Sequence, residues 1–509
     1  MPNPEATLCP TLPRMPVEFL SDAEAAVFGR FDGPPSRAEL ERDFFLDDAD
    51  KAIIRKRHGE HNQLGFAVQL GTVRYLGTFL PDPIDVPAEV VQYQADQLGV
   101  DASSVGAYLD RRQTRFDHQK AIRKLYGLKD FARVEAEFIA WVDGRAWTTG
   151  DSARTIFGEG VAWLRQQKVL LPGVTTLARL VARVRDMAND RLWDTLAGLL
   201  SSRQRVILTG LLDVPDGARV SDLDRWRREP THSSGRALEK ALGQAQEILS
   251  TGFGAMPVQG VPYRRLADLA RNGTKATATA LRRYGTSRKL ATLLATVRFL
   301  EAKTIDDCLE LLDLVMSVEL VGRAERATDK ARAKRHPKLA RASATLAVAV
   351  ETLLEVTEYG EELTLEQVWE AIDALVPRKE LKAAVATVTG MVPPPGADDD
   401  GEMRALLAER IASVSGFVKL LPVVIEFGAH AEAAPVLAAM KTLPKLLDGR
   451  KKKVTLADVD PALVTGSWKR LVFPGEDRVD KNAYVMCVDR LPPAPQTARP
   501  VCRGLLPVA

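Results

Sequence analysis

The segment from Tyr108 to Gly127 reads YLDRRQTRFDHQKAIRKLYG and is the most informative stretch of the chain. Between Arg111 and Lys124 it holds six Lys or Arg residues against one acid, Asp117. Thr114 followed three positions later by Asp117 has the spacing of a helix start, because a hydroxyl and a carboxylate both satisfy the first free N–H groups of a helix. Gly127 is a typical helix stop. The segment therefore predicts a short basic helix.

The two sides of this helix predict different contacts. Three side chains are expected to face a core: Ile122, Leu125 and Tyr126. Long polar side chains recur every four positions on a neighbouring stripe: Arg115, Gln119 and Arg123. With a preceding helix that carries Val105, Tyr108 and Leu109, this is the layout of a helix-turn-helix, whose second helix enters the major groove of DNA. A solvated charged face has the same spacing, and the residues alone leave both interpretations open.

Composition indicates an ordinary protein of several domains. The chain has 509 residues, of which 46% are hydrophobic and 27% charged. Its net charge is only +3, so any affinity for DNA must come from local clusters of basic residues. Four scattered cysteines, Cys9, Cys308, Cys487 and Cys502, lack metal-type spacing and suit a reducing cytosol. No signal peptide or membrane span is expected.

Nearly every periodic segment along the chain predicts a helix, so the expected fold class is all-α and multidomain, with helix-turn-helix-like units. Asn62 is expected to cap a helix that ends at Gly77. A second basic unit is expected to start at Pro262, to break at Asn272-Gly273 and to resume until Tyr284. The basic run from Arg323 to Arg341, broken at Pro337, predicts a solvated face, with a phosphate contact as the alternative.

These clusters predict a set of DNA-contacting residues. Lys and Arg neutralise phosphates, whereas Arg and Gln can also pair with base edges. The predicted residues are Arg55, Lys56, Arg57, Arg74, Arg111, Arg112, Arg115, Gln119, Lys120, Arg123, Lys124, Arg264, Arg265, Arg271, Lys275, Arg282 and Arg283.

The sequence nominates neither a catalytic residue nor a metal ligand. His58 and His61 lie three positions apart with no third ligand nearby, which favours a solvent-facing pair. Acidic residues cluster at Asp47 to Asp50, at Asp306-Asp307 and at Asp398 to Asp400. A two-metal nuclease needs carboxylates that converge from different elements. The first two clusters are therefore interpreted as helix caps and the third as part of a linker.

Several blocks closely resemble the N-terminal region of Tn-three family transposases. They are PVEFLS at 16–21, NQLGFAVQL at 62–70 with Arg74-Tyr75, and the residues from Tyr108 to Phe131. The resemblance continues through 169–173, 262–271 and 306–307, and more weakly through 468–472 and 484–488. Members of that family move replicative transposons and bind their terminal inverted repeats. Their catalytic domain, an RNase H-like fold with an Asp, Asp, Glu metal site, lies C-terminal to all of these blocks.

The resemblance therefore implies a chain that stops before the catalytic domain, does not act as an enzyme and needs no cofactor itself, with Mg²⁺ expected only for the missing domain. Five prolines after Val488 predict an irregular, possibly frameshifted tail. The expected domains are a disordered extension at 1–15, a DNA-binding domain at 16–150, a second DNA-binding and dimerisation or scaffold region at 151–392, a linker at 393–401, a helical region at 402–488 and the tail at 489–509.

The expected function is sequence-specific binding of transposon inverted repeats, without strand transfer. The expected partners are double-stranded DNA and either a second copy of this chain or intact transposase. The expected location is the bacterial cytoplasm, in association with the nucleoid. Two alternatives stay open. One is an active transposase whose site was missed or lies in another chain, and the other is a helical repressor that acts on intact transposase.

Overall fold

The computed structural model describes residues 19–358, 364–392, 400–427, 434–447, 454–464, 466–475 and 478–489. Of these described residues, 74% are helical, which confirms the predicted all-α fold. Within the described residues, β-structure is limited to two isolated bridges, between Lys129 and Val169 and between Gly475 and Arg478. The predicted extension at 1–15, residues 393–399 of the predicted linker and the tail beyond Asp489 lie outside the described residues.

The first half of the chain forms short and medium helices. They are α1 Asp22–Val27, α2 Arg37–Asp43, α3 Asp48–Ile54, α4 Glu60–Leu76, α5 Ala88–Leu98, α6 Arg112–Tyr126, α7 Glu135–Thr149, α8 Ala153–Gln166, α9 Val174–Gly198, α10 Ser202–Gly210, α11 Asp222–Trp226 and α12 Gly235–Ser250. Two 3-10 helices, Ala102–Leu109 and Phe131–Arg133, flank α6.

The second half contains longer helices. They are α13 Tyr263–Lys275, α14 Ala278–Arg282, α15 Thr286–Leu314, α16 Gly322–Glu358, α17 Leu365–Leu375, α18 Arg378–Met391, α19 Gly401–Glu409, α20 Ile411–Val424, α21 Ala434–Leu447, α22 Lys469–Val472 and α23 Lys481–Asp489. A π-helical segment, Val315–Val321, joins α15 to α16 without a break. Two further 3-10 helices are Leu456–Asp458 and Pro461–Leu463.

The chain divides into two compact units that are discontinuous in sequence. The first unit comprises the described residues up to Asp213 and the returning segment Pro257–Thr296. The second unit comprises Val214–Met256 and the described residues from Val297 onward. The domain boundaries expected from the sequence stay predictions.

Helix α4 forms the centre of the first unit. It is buried on every side from Leu64 to Val73, as expected of a helix with apolar side chains all round. Two glycines on it permit close packing. A Cβ on Gly65 would lie 2.4 Å from the Tyr108 ring, and one on Gly71 would lie 2.4 Å from Phe44. The helix ends at Gly77, which adopts a left-handed φ of 78°, as predicted.

Local signals were right at several helix ends and wrong at others. Asp47 with Asp50 forms a capping box, as the cap predicted there requires, and Ser201 with Gln204 forms another. Asn62 is not a cap, because α4 already begins at Glu60 and the Asn62 amide donates to the carbonyl of His58. Pro337 does not break α16 but lies inside it. That stretch of α16 is exposed, so water can satisfy the carbonyl that the proline leaves free.

The second unit packs around α12 and α20. Its core includes Leu238, Leu242, Phe417 and Trp468, all of which are buried. Gly235 lies so close to the carbonyl of Ser413 that a Cβ there would clash at 1.7 Å. A small residue at position 235 is therefore required for this approach of α12 and α20.

Candidate nucleic-acid interface

The basic helix predicted from the sequence is α6. It ends as predicted at Gly127, whose φ is 65° and whose N–H donates to the carbonyl of Arg123. Its start differs from the prediction: α6 begins at Arg112, and Thr114 does not cap it. The Asp117 carboxylate instead accepts from the side chain of Gln113 at 3.2 Å. The preceding helix carries Val105, Tyr108 and Leu109 as predicted, and it is a 3-10 helix capped by Asp101.

The core-facing side of α6 holds Ile122 and His118, both buried. Tyr126 is half-buried, and its hydroxyl donates to Asp50 at 2.5 Å. Leu125, which was expected in the core, is 50% exposed. That prediction was wrong because His118 and Ile122 set the buried stripe, and a residue three positions after Ile122 lies at its edge.

A buried polar chain joins α6 to the central helix α4. The Gln69 amide donates to the Tyr108 hydroxyl at 2.6 Å, and this hydroxyl lies 2.8 Å from Nδ1 of His118. The Tyr108 and His118 rings also stack, with centroids 5.5 Å apart. Burial lowers the pKa of His118 to about 4 and raises the pKa of Tyr108. His118 is therefore neutral at pH 7, and the basic character of α6 comes from its Lys and Arg residues alone.

The predicted stripe of Arg115, Gln119 and Arg123 lies on one side of α6 and is half-buried. It forms one wall of an open groove of about 430 Å³. The other walls are the loop at 78–81, Asp130-Phe131 and the loop at 170–172. None of these walls was predicted from the sequence. The sequence feature that these walls share is a proline or an aromatic residue in the segment after a helix, at Phe79, Pro81, Phe131 and Pro172.

The arginines of the stripe already have contacts within the protein. Arg123 pairs with Asp130 at 3.0 Å, and its guanidinium lies 5.6 Å from the centroid of the Phe79 ring. Arg115 lies 4.7 Å from the centroid of the Phe116 ring, and its Nη1 donates to the carbonyl of Pro81 at 3.4 Å. These contacts orient both guanidinium groups toward the groove rather than leaving them free in solvent.

Other predicted residues of α6 face outward. Arg111, Lys120 and Lys124 are exposed, and no hydrogen bond or ion pair joins their side chains to another residue in the described part of the chain. Lys120 and Lys124 lie one turn apart and therefore on the same face. The side chain of Arg112 lies outside what the structure describes.

The basic residues around α3 and α4 fall into two groups. Arg55 and Lys56 are exposed in the loop between the helices. Arg57 lies 4.7 Å from the centroid of the Phe66 ring and is half-buried. Arg74 donates to Asp50 at 2.9 Å and lies over the Tyr126 ring. Arg57 and Arg74 thus have structural partners, whereas Arg55 and Lys56 are available to a ligand.

Burial alone would raise the pKa of Asp50, and this is the largest single effect on that carboxyl. The hydrogen bonds from Arg74 and Tyr126 outweigh it, so the pKa of Asp50 lies below its usual value. Asp50 is therefore ionised at neutral pH and holds Arg74 and the end of α6 in place.

The second predicted basic unit is a pair of helices, α13 and α14. Its break does not lie at Asn272-Gly273. Helix α13 continues to Lys275, and Thr277 then caps α14 by accepting from the N–H of Ala280. Gly273 lies inside α13, where a Cβ would meet the hydroxyl of Thr296 at 1.7 Å. The glycine is a packing site, not a helix end.

The predicted residues of this second unit are placed unequally. Arg265 is buried, and its guanidinium contacts the side chain of Asn189, so it belongs to the interior. Arg271 pairs with Asp268 at 2.8 Å, and Arg282 contacts the Leu212 carbonyl and Asp213. Three residues are exposed without an ion pair in the described part of the chain: Arg264, Lys275 and Arg283.

The acidic clusters have structural roles where the structure describes them. Asp47 and Asp50 form a capping box, as predicted. Asp306 and Asp307 are not caps, because they lie inside α15, where Asp307 pairs with Lys303 at 2.9 Å. Asp398 lies outside the described residues. Among the described residues, no cluster of three His, Cys, Asp or Glu side chains could hold a metal ion. Among their helices, none is both long and apolar enough to cross a membrane.

Comparison with known proteins finds one matching family and several similar transposases. Residues 19–184 match a family described as a domain of unknown function, DUF4158. The transposase for transposon gamma-delta of Escherichia coli (strain K12) is 34% identical over 481 residues, which are 93% of this chain and 46% of that protein. The transposase for transposon Tn4556 of Streptomyces fradiae is 42% identical over 292 residues, 54% of this chain and 32% of that protein. The transposase for transposon Tn501 of Pseudomonas aeruginosa is 27% identical over 89% of this chain.

These relatives correct one expectation. The resemblance implied a chain that is not an enzyme, yet a relative that matches 93% of this chain is a transposase, and transposases are enzymes. That prediction was wrong, because it argued from where the chain ends. The chain spans less than half the length of the relatives it matches, 46% of the first and 32% of the second.

Proposed function

Because the chain belongs to the Tn-three family of transposases, we propose that it acts in DNA transposition by binding the ends of a transposon as double-stranded DNA. The observation that carries this proposal is the exposed basic face of α6. Lys120 and Lys124 project from it, Arg111 is exposed just before its first residue, and the described part of the chain offers none of the three an acidic partner. Unpaired cations on a helix face suit the phosphates of a duplex.

Phosphate contacts and base contacts would come from different residues. Lys120 and Lys124 would neutralise phosphates and release counterions, which gives affinity without sequence preference. Gln119 lies beside Lys120, and its amide can both donate to and accept from a base edge. The exposed residues Arg264, Lys275 and Arg283 would supply a second phosphate contact. Arg265 has no part in this proposal, since it is buried.

The proposal is tested by binding of the full chain to the terminal repeats of its own transposon and to a scrambled duplex of equal length. We expect tighter binding to the repeats and an affinity that falls steeply as salt rises. Replacement of Lys120 by Ala should weaken binding to both duplexes and reduce the salt slope by about 0.9. Lys240→Ala removes an exposed lysine from α12 in the second unit and serves as the control.

Two results would contradict the proposal. Equal binding to both duplexes would remove sequence recognition, and an affinity independent of salt would remove the phosphate contacts. The expectations of a cofactor-free chain, of pairing with a second copy or with intact transposase, and of nucleoid association stay predictions.

A further inference from the structure

The groove beside α6 is lined in part by aromatic side chains, and contacts with the phosphate backbone of DNA alone do not require them. We propose that it binds a single unpaired nucleobase of the DNA, an inference that rests on the proposed function. Its volume of about 430 Å³ lies within the range of small-molecule sites, roughly 300 to 1,000 Å³.

The apolar lining of the groove suits the faces of a base. Phe79, Phe116 and Phe131 all contribute to its walls, and Phe116 is 44% exposed. The guanidinium of Arg115 lies against the Phe116 ring, which adds a second planar surface. Bases stack on aromatic rings and on guanidinium planes in proteins that hold single-stranded nucleic acid. A paired base inside a duplex does not expose its face to such a surface.

The polar lining suits the edge of a base. Gln119 presents an amide that donates and accepts, Arg123 presents donors, and Asp130 presents an acceptor. The ion pair between Arg123 and Asp130, 3.0 Å long, holds both groups at the groove. Such groups match the Watson–Crick edge of a base, which is available only when the base is unpaired.

The groove is preformed by the backbone. Leu171 N–H donates to the carbonyl of Gly77 at 2.9 Å and thereby joins the loops at 78–81 and 170–172. Lys129 N–H donates to the Lys168 carbonyl at 2.8 Å, and Leu170 N–H donates to the Lys129 carbonyl at 2.9 Å. Three separate segments are thus tied together next to α6. A base that enters would not have to order these loops first, which favours binding.

The experiment compares two duplexes that differ by one nucleotide. One carries a single bulged 2-aminopurine, and the other has the same 2-aminopurine paired with thymine. The full chain is titrated against each at low salt, with affinity and 2-aminopurine fluorescence as readouts. We expect roughly fivefold tighter binding of the bulged duplex, or more, and a decrease in the fluorescence of its bulged base, because stacking on the aromatic side chains favours binding and quenches fluorescence.

Two phenylalanine variants separate the groove from general effects. Phe116→Ala should bring the preference for the bulged duplex close to one while the paired duplex still binds. Phe45→Ala removes a side chain that is 54% exposed in the same unit but does not line the groove, and it should keep the full preference. Circular dichroism of both variants verifies that the helical content is unchanged.

Each possible failure has its own meaning. Equal binding of both duplexes would overturn the groove proposal and leave the proposed function standing. A preference that survives in Phe116→Ala would also overturn it, because the base would then bind elsewhere. Saturable binding of free 2-aminopurine nucleotide without any preference for the bulge would identify a small-molecule site instead. If neither duplex binds at any salt concentration, the proposed function fails, and the groove proposal fails with it.

Discussion

The buried histidine of α6 predicts a measurable acid sensitivity of the first unit. His118 is only 5% exposed, and burial holds its pKa at about 4, against a usual value of 6.5. In the unfolded chain the same group titrates near its usual pKa. Between these two pH values the unfolded state binds more protons than the folded state. The free energy of unfolding therefore falls as the pH decreases from 6.5 to 4, whereas well above 6.5 the titration of His118 adds no pH dependence to it.

The magnitude follows from the difference between the two pKa values. At about 1.4 kcal/mol per pK unit, protonation of His118 in the unfolded state lowers the free energy of unfolding by roughly 3 kcal/mol near pH 4. This is a large part of the 5 to 15 kcal/mol by which domains are typically stable, so the effect should be visible before other groups dominate. Carboxylates also titrate in this range, and a comparison of variants is needed to remove their contribution.

The assay is hydrogen exchange of the backbone amides of α4 and α6, measured by mass spectrometry from pH 7 to 4.5 and corrected for the intrinsic exchange rate. It reports local opening and does not require the whole chain to unfold in one step. His118→Gln should lower protection at pH 7 but lose most of the additional decrease toward pH 4.5. His58→Gln, at an exposed position, should keep the parent's pH dependence. An unchanged pH dependence in His118→Gln would refute the reasoning.

Two further predictions concern stability, each with a matched control. Gly65→Ala should destabilise the first unit by roughly 1 to 3 kcal/mol, because its Cβ would lie 2.4 Å from the rigid Tyr108 ring, whereas Gly144→Ala, with open space around it in α7, should stabilise by about 0.5 to 1 kcal/mol; equal thermal shifts would contradict this. Asp50→Asn should cost roughly 1 to 3 kcal/mol, because it leaves the half-buried Arg74 without its anion and removes the charged acceptor of the Tyr126 hydroxyl. Asp48→Asn, exposed on the same helix, should change the urea midpoint little, and a similarly small change in both variants would show that the pair contributes nothing.

The helices of the fold could largely be predicted from the sequence because their signals are local. Gly77 and Gly127 end α4 and α6 in the left-handed conformation that favours glycine, and Ser201 forms its capping box with a residue three positions away. Gly273 shows where such signals fail. The same residue type that ends a helix can also allow two helices to approach closely, and only the distant Thr296 distinguishes the two roles.

The candidate site was predictable only in part. The stripe of Arg115, Gln119 and Arg123 follows from helical spacing within one segment. The groove does not, because two of its other walls come from loops about 40 residues before and 50 residues after that segment. Gln69, Tyr108 and His118 were missed as a group for the same reason: the chain of hydrogen bonds that joins them crosses between elements far apart in sequence.

Because each unit consists of two separate segments of the chain, the order of synthesis affects folding, and the chain cannot be shortened at an arbitrary position. The first unit lacks α13, α14 and the start of α15 until residue 296 has left the ribosome, by which time Val214–Met256 has already emerged without the rest of its own unit. A fragment cut at residue 184, where the family match ends, would lack the returning segment and expose the surfaces that α13 covers. Shortened versions of this protein for DNA-binding studies should therefore retain the chain at least through Thr296.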